Sequence, residues 1–472
     1  MSATSAATPP DSRSGDASLA RVVAASLIGT TIEWYDYFLY GSAAALVFGK
    51  TFFPDSDPLT GTLLSFLTYA IGFAARPIGA LVFGHFGDRL GRKKLLVLSL
   101  VMMGASSALI GCVPGYATIG VAAPILLTVL RLVQGFALGG EWGGAVLLVS
   151  EYGDPKRRGF WASWPQGGAP AGNLLAVGML SLMTSVQSDS AFAAWGWRIP
   201  FLVSAVLLGI GLWIRLSVEE TPMFREAQAR AEARQAERKA AGRAAAERSP
   251  LLTVVRGQWR DLLVAMGARM AENISYYVIT AFTLTYCVDH LGLAKQTALN
   301  AVLIGSAVQF CLIPLFGALS DRVGRKPVYL VGAVCTGIWA WAFFGLLDVK
   351  SFPLLVLAVT VGLVFHSAMY APQAAFFSEL FGTRVRYSGS SIGAQFASVA
   401  AGAPAPLIAV ALLEGYGSAT PIALYVCLSA VLTVIAMLFA RETREVDLAE
   451  LPDAQDITDP SPSRSSADSM TA

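Results

Sequence analysis

Long apolar segments alternate with short polar connections along almost the whole chain. Between about residue 20 and residue 440, twelve of these segments approach or exceed the length of about 20 residues that a helix needs to cross a hydrocarbon core of roughly 30 Å. Several contain glycine or proline, which membrane helices tolerate where neighbouring helices or water satisfy the backbone. The pattern predicts an all-α membrane protein with twelve transmembrane helices.

Basic residues are concentrated in alternate connections between these segments. The connections that are rich in Lys and Arg are those around Arg89 to Lys94, Lys156 to Arg158, 217–258, Arg322 to Lys326, and Arg384 to Arg386. The other connections contain little beyond Lys50, Arg198, Lys295 and Lys350. Because positively charged loops remain inside the cell, we expect the basic loops and both termini in the cytoplasm of a bacterium, with the chain crossing its inner membrane many times.

The two halves of the chain repeat each other. The run GHFGDRLGRK, which begins at Gly84, returns 233 residues later as GALSDRVGRK, which begins at Gly317. Ser150-Glu151 with Arg158 returns as Ser378-Glu379 with Arg386, and Glu220-Thr221 returns as Glu442-Thr443. Three markers in the same order indicate duplication of a six-helix unit.

The repeat and the polar segments together predict the domain organisation. We expect disordered cytoplasmic tails at 1–18 and 442–472, which are polar and poor in apolar residues. We expect six-helix bundles at 19–216 and 259–441, joined by a basic cytoplasmic linker at 217–258.

The composition restricts the class of protein further. Of 472 residues, 55% are hydrophobic and only 14% are charged, and the net charge is +2; a soluble protein carries about a quarter charged residues. The five cysteines are scattered in apolar segments without metal-ligand spacing. We therefore expect a bilayer environment and a monomer, with no nucleic-acid partner, no metal and no cofactor; the chain is predicted not to be an enzyme.

Several motifs resemble those of a known family. The duplicated loop and the run RLVQG at Arg131 to Gly135 resemble signatures of the major facilitator superfamily. IEWYDY at Ile32 to Tyr37, GFALGGEW at Gly135 to Trp142, WGWRIP at Trp195 to Pro200 and RYSG at Arg386 to Gly389 resemble its bacterial metabolite:H⁺ symporter family. YVITAF at Tyr277 to Phe282 and RYSG are most similar to the shikimate-type members, while the proline/betaine, α-ketoglutarate and citrate carriers share the framework.

Ionisable side chains inside predicted membrane helices are the first functional candidates, because they are costly there unless paired or hydrated. In the first helix Glu33, Asp36, Tyr37 and Tyr40 form one polar stripe, which is expected to face an aqueous cavity rather than lipid. A carboxylate whose pKa rises on desolvation and falls beside an arginine can link protonation to substrate binding. Glu33 and Asp36 are therefore predicted to couple transport to a proton.

An anionic substrate needs a fixed positive charge, which a guanidinium supplies with two parallel hydrogen bonds. The predicted substrate-binding residues are Arg131, Gln134, Tyr37, Gln166, Asn173, Arg269, Tyr276, His366 and Gln373. Glu141 and Glu272 are candidate partners for the arginines. A purely structural ion pair between Arg131 or Arg269 and Glu33, Asp36, Glu141 or Glu272 remains the alternative.

The duplicated loops are predicted to form a cytoplasmic gate. Their candidate residues are Gly84, Asp88, Arg89, Gly91 and Arg92 in the first half, and Asp321, Arg322, Gly324 and Arg325 in the second. Glycine permits a tight reversal, and the aspartates can accept hydrogen bonds from a helix start or from an arginine. A simple capped turn is the alternative.

The sequence favours a secondary active transporter that takes up a small organic acid, such as shikimate or a related mono- or dicarboxylate, together with a proton. Uptake of a zwitterion of the proline/betaine type is the main alternative. An exporter or antiporter and a non-transporting membrane sensor are further alternatives.

Overall fold

The chain forms a bundle of long helices. The computed structural model describes residues 12–90, 92–139, 155–217, 257–381 and 386–446. Within these residues the twelve main helices are α1 (Ser12–Ala43), α2 (Pro58–Leu90), α3 (Arg92–Cys112), α4 (Ala122–Gly139), α5 (Arg158–Val186), α6 (Arg198–Ser217), α7 (Trp259–Tyr277), α8 (Lys295–Val323), α9 (Arg325–Asp348), α10 (Phe352–Leu380), α11 (Arg386–Ala397) and α12 (Thr420–Phe439).

Three of these helices continue through a short π-helical segment. α1 passes into Ala44–Phe48 and then Gly49–Phe52, and α11 passes into Ser398–Gly402 and then Ala405–Tyr416. α7 is followed by two such segments, Val278–Phe282 and Tyr286–His290, separated by Thr283–Thr285. Short helices Tyr116–Ile119, Pro155–Arg157, Asp189–Ala191 and Phe192–Gly196 lie in the connections.

The helix pairing repeats between the two halves. In the first half α1 packs against α5, α2 against α4, and α3 against α6. In the second half α7 packs against α11, α8 against α10, and α9 against α12, which is the same pattern six helices later. The halves meet where α5 packs on α8 and α2 packs on α11, so the contact between them follows the same symmetry.

The outer surface of the bundle is apolar. Large exposed side chains include Ile78, Trp213, Leu315, Ile338 and Phe439, as expected of a surface that faces acyl chains. Eight helices in the described part are long and apolar enough to span a bilayer, and the bent pair Asp189–Gly196 and Arg198–Ile214 makes a ninth. Of the other three, α1 and α7 are more polar because they carry ionisable residues, and the apolar part of α3, Val97–Cys112, is short.

The bundle has two ends, which we name by the chain termini. The terminal face is the end at which α1 begins and α12 ends, and the far face is the opposite end. Both predicted tails are partly ordered at the terminal face: α1 begins at Ser12, inside 1–18, and Glu442 to Val446 contact the bundle. The linker 217–258 lies outside the described residues except at its two ends.

Glycines allow α2 and α4 to cross at close range. A Cβ atom at Gly135 of α4 would collide with the carbonyl oxygen of Gly72 of α2, and one at Gly139 would collide with the carbonyl of Arg76. Small residues at such spacing let membrane helices approach backbone to backbone. The side chains of Arg76 on α2 and Arg131 on α4 both reach the ring of Tyr37.

The crossing predicts a specific packing defect. Gly135→Ala should separate α2 from α4 and lower the thermal unfolding midpoint of the detergent-solubilised protein, since overpacking of a tight contact costs about 1–3 kcal/mol. Gly209→Ala on α6 is the matched control, because a Cβ atom at that position would meet nothing within 4 Å. A midpoint for Gly135→Ala equal to that of Gly209→Ala would show that the close approach is dispensable.

Candidate functional site

Asp36 lies in a polar network inside the first half. Its side chain is 2% exposed, and its carboxylate accepts a hydrogen bond from the hydroxyl of Ser204 on α6 and another from Ser107 on α3. Ser107 in turn accepts from Gln134 Nε2 at 2.5 Å, and Gln134 Oε1 accepts from Arg131 Nη1 at 3.0 Å. Asp36 and Arg131 are thus joined through neutral groups, and no described basic residue forms an ion pair with Asp36.

Two buried guanidinium groups approach one tyrosine ring. The Arg131 guanidinium carbon lies 4.5 Å from the centroid of Tyr37, and that of Arg76 lies 4.3 Å from the same centroid. Arg131 also lies over Tyr40, at 4.3 Å, and over Tyr69, at 4.7 Å. Nε and Nη2 of both arginines have no hydrogen-bond partner within the described part of the chain. Buried donors of this kind are the atoms that an anion would satisfy.

An aromatic layer separates the two halves at this level. Tyr37 packs against Tyr277 of α7 with ring centroids 6.3 Å apart, and Phe38 packs against Tyr276 at 5.3 Å. Phe73 of α2 contacts the Tyr277 ring edge-on at 5.6 Å. The layer closes the middle of the bundle in this conformer.

The second half has its own polar network, centred on Glu272 of α7. Its carboxylate lies 3.6 Å from Arg269 Nη2 and 3.3 Å from His366 Nε2. It accepts hydrogen bonds from Asn273 at 3.0 Å and from Gln373 at 3.3 Å. Glu272 is therefore paired with Arg269. This is one of the purely structural ion pairs that the sequence left open as an alternative to substrate binding.

Further contacts hold the members of this network in place. Gln373 accepts from Arg269 Nη1 at 3.0 Å and donates to the Tyr329 hydroxyl at 3.0 Å. His366 Nδ1 lies 2.7 Å from Gln309 Nε2, so His366 bridges α8 and α7. The Tyr276 ring lies 4.7 Å from the imidazole and extends the network toward the aromatic layer.

Two predicted substrate-binding residues lie on α5 and contact the opposite half. Gln166 donates to the carbonyl of Tyr370 at 3.3 Å, and Asn173 donates to Ser306 Oγ at 2.9 Å. Both side chains are about 1% exposed. In this conformer they hold the halves together.

The structure corrects one expectation. Glu33 and Asp36 were expected to face an aqueous cavity, but their exposed fractions are only 6% and 2%, and that of Arg131 is 1%. They avoid lipid, and the aromatic layer lies between the first-half network and Glu272. In this conformer they are enclosed within the protein. Glu141 lies outside the described residues.

A third cluster joins the halves at the terminal face. Both Asp321 carboxylate oxygens accept from the start of α5, one from the Gly159 N–H at 2.7 Å and the other from the Phe160 N–H at 2.8 Å. Arg325 Nη1 lies 2.6 Å from Asp321 Oδ1 and its Nη2 lies 3.2 Å from Glu379. Asp321 therefore connects the second half to the first, while Arg325 holds it in position.

Glu379 is the buried centre of this cluster. It is 0% exposed, and besides Arg325 it binds Arg158 of the first half at 3.0 Å and accepts from the Thr443 hydroxyl at 2.7 Å. Glu442 accepts from the Arg325 N–H at 2.9 Å, and so caps α9. The duplicated loop, the second marker of the repeat and the residues after α12 thus form one assembly.

The predicted gate residues have different places in the structure. Gly324 adopts φ 115° between α8 and α9, a conformation that favours glycine. Arg322 is exposed and contributes its carbonyl oxygen, which accepts from Arg444 at 2.7 Å. The gate residues predicted in the first half lie outside the part of the chain whose side chains the structure describes. They are Gly84, Asp88, Arg89, Gly91 and Arg92.

Sequence reasoning missed several members of these clusters. Arg76 is an ionisable residue in a predicted membrane helix, so the rule that identified Arg131 could also have identified it. Arg158 and Glu379 were recognised as markers of the repeat but were given no role. Gln309 and Tyr69 gave no signal, because single polar or aromatic residues are common in membrane helices.

Comparison with known proteins decides the family. The model of the family described as "Sugar (and other) transporter" matches residues 22–454. The chain belongs to this family. A shikimate transporter from Escherichia coli K12 is 40% identical over 443 residues, which cover 93% of this chain and 99% of the relative. The proline/betaine transporter of the same organism is 33% identical and covers 94% and 87%.

Solved structures show the same fold. A major facilitator superfamily proton:xylose symporter, XylE, superimposes with a TM-score of 0.72 at 16% identity, and the match covers 92% of this chain and 98% of that one. The predicted all-α fold of the major facilitator superfamily is confirmed. The relatives are named as transporters, so the prediction of a multi-pass membrane transporter rather than an enzyme is also confirmed.

Proposed function

We propose that this transporter takes up a small organic acid, such as shikimate or a related mono- or dicarboxylate, together with a proton. The observation that carries the proposal is the first-half network, in which a buried carboxylate and two buried, incompletely satisfied arginines occur together. The curated relative that is 40% identical is named as a shikimate transporter.

Asp36 is the proposed proton carrier. A carboxylate that is bound only by neutral hydroxyl groups can exist in either protonation state, because Ser204 and Ser107 can donate to the anion or accept from the acid. Glu272 lies beside the guanidinium of Arg269 and the imidazole of His366, and a carboxylate with a fixed cation beside it is less suited to exchange a proton. Glu33, one turn before Asp36, remains the second candidate.

Arg131 and Arg76 are the proposed anchors for the substrate carboxylate. Their free N–H groups would donate hydrogen bonds to it when the aromatic layer opens, and Arg131 is linked through Gln134 and Ser107 to Asp36. The Arg131 guanidinium would then interact electrostatically both with the charge of the substrate and with the charge of Asp36. This connection gives a physical route by which protonation and substrate binding influence each other.

The terminal-face cluster is the proposed gate of an alternating-access cycle. Its ion pairs join Arg158 and the start of α5 to Asp321 and Glu379, so they can be satisfied only while the halves are closed at this face. The positive-inside rule assigns the terminal face to the cytoplasm. The conformer would then be sealed on the cytoplasmic side, in a bacterial inner membrane.

The driving force distinguishes the proposed substrate from its main rival. A monocarboxylate anion that enters with one proton moves no net charge, so a pH gradient should drive uptake into proteoliposomes, about tenfold per pH unit, and a membrane potential should not. A zwitterion that enters with one proton carries a charge, and about 100 mV would support roughly fifty-fold accumulation. Uptake of shikimate should therefore respond to pH in potassium-clamped vesicles, and the zwitterion should respond to a valinomycin potential.

The zwitterion rival is favoured by one observation. Glu272 beside the Tyr276 and Tyr370 rings offers a carboxylate and aromatic faces, which suit an ammonium group. A counterflow screen over shikimate, protocatechuate, α-ketoglutarate, citrate, proline and betaine would decide between the substrate classes. Inverted membrane vesicles that accumulate substrate would instead indicate an exporter.

Loss of one arginine should weaken substrate binding strongly. Arg76→Gln should lower the affinity for shikimate by about 10–100-fold, because a hydrogen bond to a charged group contributes about 1.5–3 kcal/mol. Affinity is measured by scintillation proximity with the purified protein. Arg260→Gln, at the exposed start of α7, is the matched control and should bind normally. Normal affinity in Arg76→Gln would exclude Arg76 from the site.

A further inference from the structure

A large cavity opens on the far face between the two halves. Its volume is about 1140 Å³, which exceeds the size of pockets that hold drug-sized molecules. Its wall includes the end of the first helical span at Lys50, the connection from α5 to Arg198 of α6, and the start of α8 at Lys295 and Gln296. Asp189 and Ser190 at its edge are exposed, so the cavity is open to water.

Basic side chains outnumber acidic ones in this wall. Lys50, Arg198 and Lys295 line the cavity together with one carboxylate, Asp189. Lys295 lies 3.9 Å from Asp189, whose side chain is 92% exposed, so this pair is hydrated and weak. Asp289 lies near Lys50 and Lys295 and offsets part of their charge.

Arg198 is the residue that points to a ligand. One of its terminal nitrogens, Nη2, donates to the carbonyl of Val113 at 3.1 Å, and its guanidinium lies over the Trp197 ring at 4.2 Å. The other terminal nitrogen, Nη1, is buried and has no hydrogen-bond partner within the described residues. A guanidinium with an unpaired N–H group in the wall of a cleft that is open to water is suited to bind a carboxylate.

We propose that this cavity, the far-face vestibule, is a collection site that binds the carboxylate of the substrate before it reaches the midplane. Arg198 Nη1 and the Lys50 ammonium are its anion-binding groups. The inference rests on the proposed function, since it requires an anionic substrate. A cleft of one charge sign with low-dielectric walls raises the local concentration of the oppositely charged ligand and its rate of association.

The potential in the vestibule is measurable without any substrate. A reporter cysteine replaces Thr118, which lines the cavity, in a chain whose exposed Cys112 and Cys311 are changed to alanine. Its reaction rates with a negatively charged and a positively charged methanethiosulfonate reagent are compared. Lys50→Gln should slow the reaction with the negatively charged reagent about threefold and accelerate that with the positively charged reagent about threefold. The ratio of the first rate to the second should therefore fall about tenfold.

Matched variants locate the effect in the vestibule. Lys350 is a lysine on the far face that lies outside the cavity wall, and its Nζ donates to the carbonyl of Leu291. In Lys350→Gln, the ratio of the two reagent rates at the Thr118 reporter should stay unchanged. A reporter at Ser418, in the connection before α12, should be insensitive to Lys50→Gln. An unchanged ratio at Thr118 in Lys50→Gln would overturn the inference.

Transport of shikimate tests the consequence. Lys50→Gln should raise KM for pH-driven uptake about threefold and Lys50→Glu about tenfold, with an unchanged maximal rate. Both effects should disappear near 1 M salt, where the screening length is about 3 Å. Equal KM values in the unmodified chain and in Lys50→Glu at low salt would overturn this inference but leave the proposed function intact. A complete lack of carboxylate uptake by the unmodified chain would overturn the proposed function, and the reagent ratio would still report the potential.

Discussion

Replacing Asp36 by asparagine is expected to abolish pH-driven accumulation of substrate while leaving exchange across the membrane partly intact. Asparagine keeps the hydrogen bonds with Ser204 and Ser107 in one orientation of its amide but cannot take up and release a proton. Without proton transfer, the internal concentration should reach the external one and rise no further, against about tenfold accumulation per pH unit in the unmodified chain. Proteoliposomes with an imposed pH gradient measure the accumulation, and counterflow of labelled shikimate measures the exchange.

Two variants make this test specific. Asp57→Asn, in the exposed connection before α2, should accumulate substrate normally, because its carboxylate lies outside the bundle. Glu33→Gln tests the second candidate in the stripe. Full accumulation by Asp36→Asn together with none by Glu33→Gln would move the proton-carrying role from Asp36 to Glu33.

Removing the charge of Glu379 is expected to open the terminal face. In Glu379→Gln the two buried guanidiniums of Arg158 and Arg325 lose their common carboxylate, and breaking a buried ion pair by removing one partner costs about 3–5 kcal/mol. The Arg325 pair lies within the second half, but the Arg158 pair crosses between the halves and exists only while this face is closed. The loss of the Arg158 pair should therefore shift the population toward the conformer open at this face. We expect a lower turnover number and a smaller effect on substrate affinity.

Cysteine accessibility at the two faces measures the shift. A reporter at Thr118 on the far face should react more slowly in Glu379→Gln, and a reporter at Ser163 of α5, which is buried near the terminal-face cluster, should react faster. Glu414→Gln, in the exposed last turn before the far-face loop at Gly417, serves as the control. Unchanged rates at both reporters would show that the cluster stabilises the fold without controlling the gate.

The helical architecture could be predicted from the sequence because its signals are strong and local. A membrane helix must satisfy its own backbone in lipid, so about 20 apolar residues define it with little dependence on distant contacts. The repeat of Asp88 and Asp321 indicated the symmetry, and the pairing of α2 with α4 and of α8 with α10 has that symmetry. The start of α1 at Ser12 was missed, because a helix that extends beyond the bilayer need not be apolar.

The candidate site was predicted only in part. The cost of a charge in lipid identified Asp36, Arg131 and Glu272 as residues that must have partners, but it could not say which. Whether Asp36 meets Arg131 directly or through Gln134 and Ser107 depends on how α1, α3 and α4 rotate against each other, and sequence periodicity does not fix that rotation.

The sequence likewise could not predict which conformer the two halves adopt. The same polar stripe on α1 is enclosed when Tyr37 and Phe38 pack against Tyr277 and Tyr276, and would be hydrated when the halves separate. Helical spacing describes one helix at a time, whereas this closure depends on the relative position of two halves that are far apart in the chain.

The π-helical segments of α1, α7 and α11 give these three helices a weak point between their two ends. An additional residue in one turn loosens the i to i+4 hydrogen bonding, and bends occur preferentially at such turns. The segments that follow α1 and α7 lie beyond Asp36 and Glu272, toward the far face, and the segment that follows α11 lies beside Asn273 and Tyr277. In the proposed cycle, the parts of these helices on the far-face side of the segments would tilt inward while the parts on the terminal-face side, and the ion pairs there, stay in place. Both entrances would then be shut before the inner one opens.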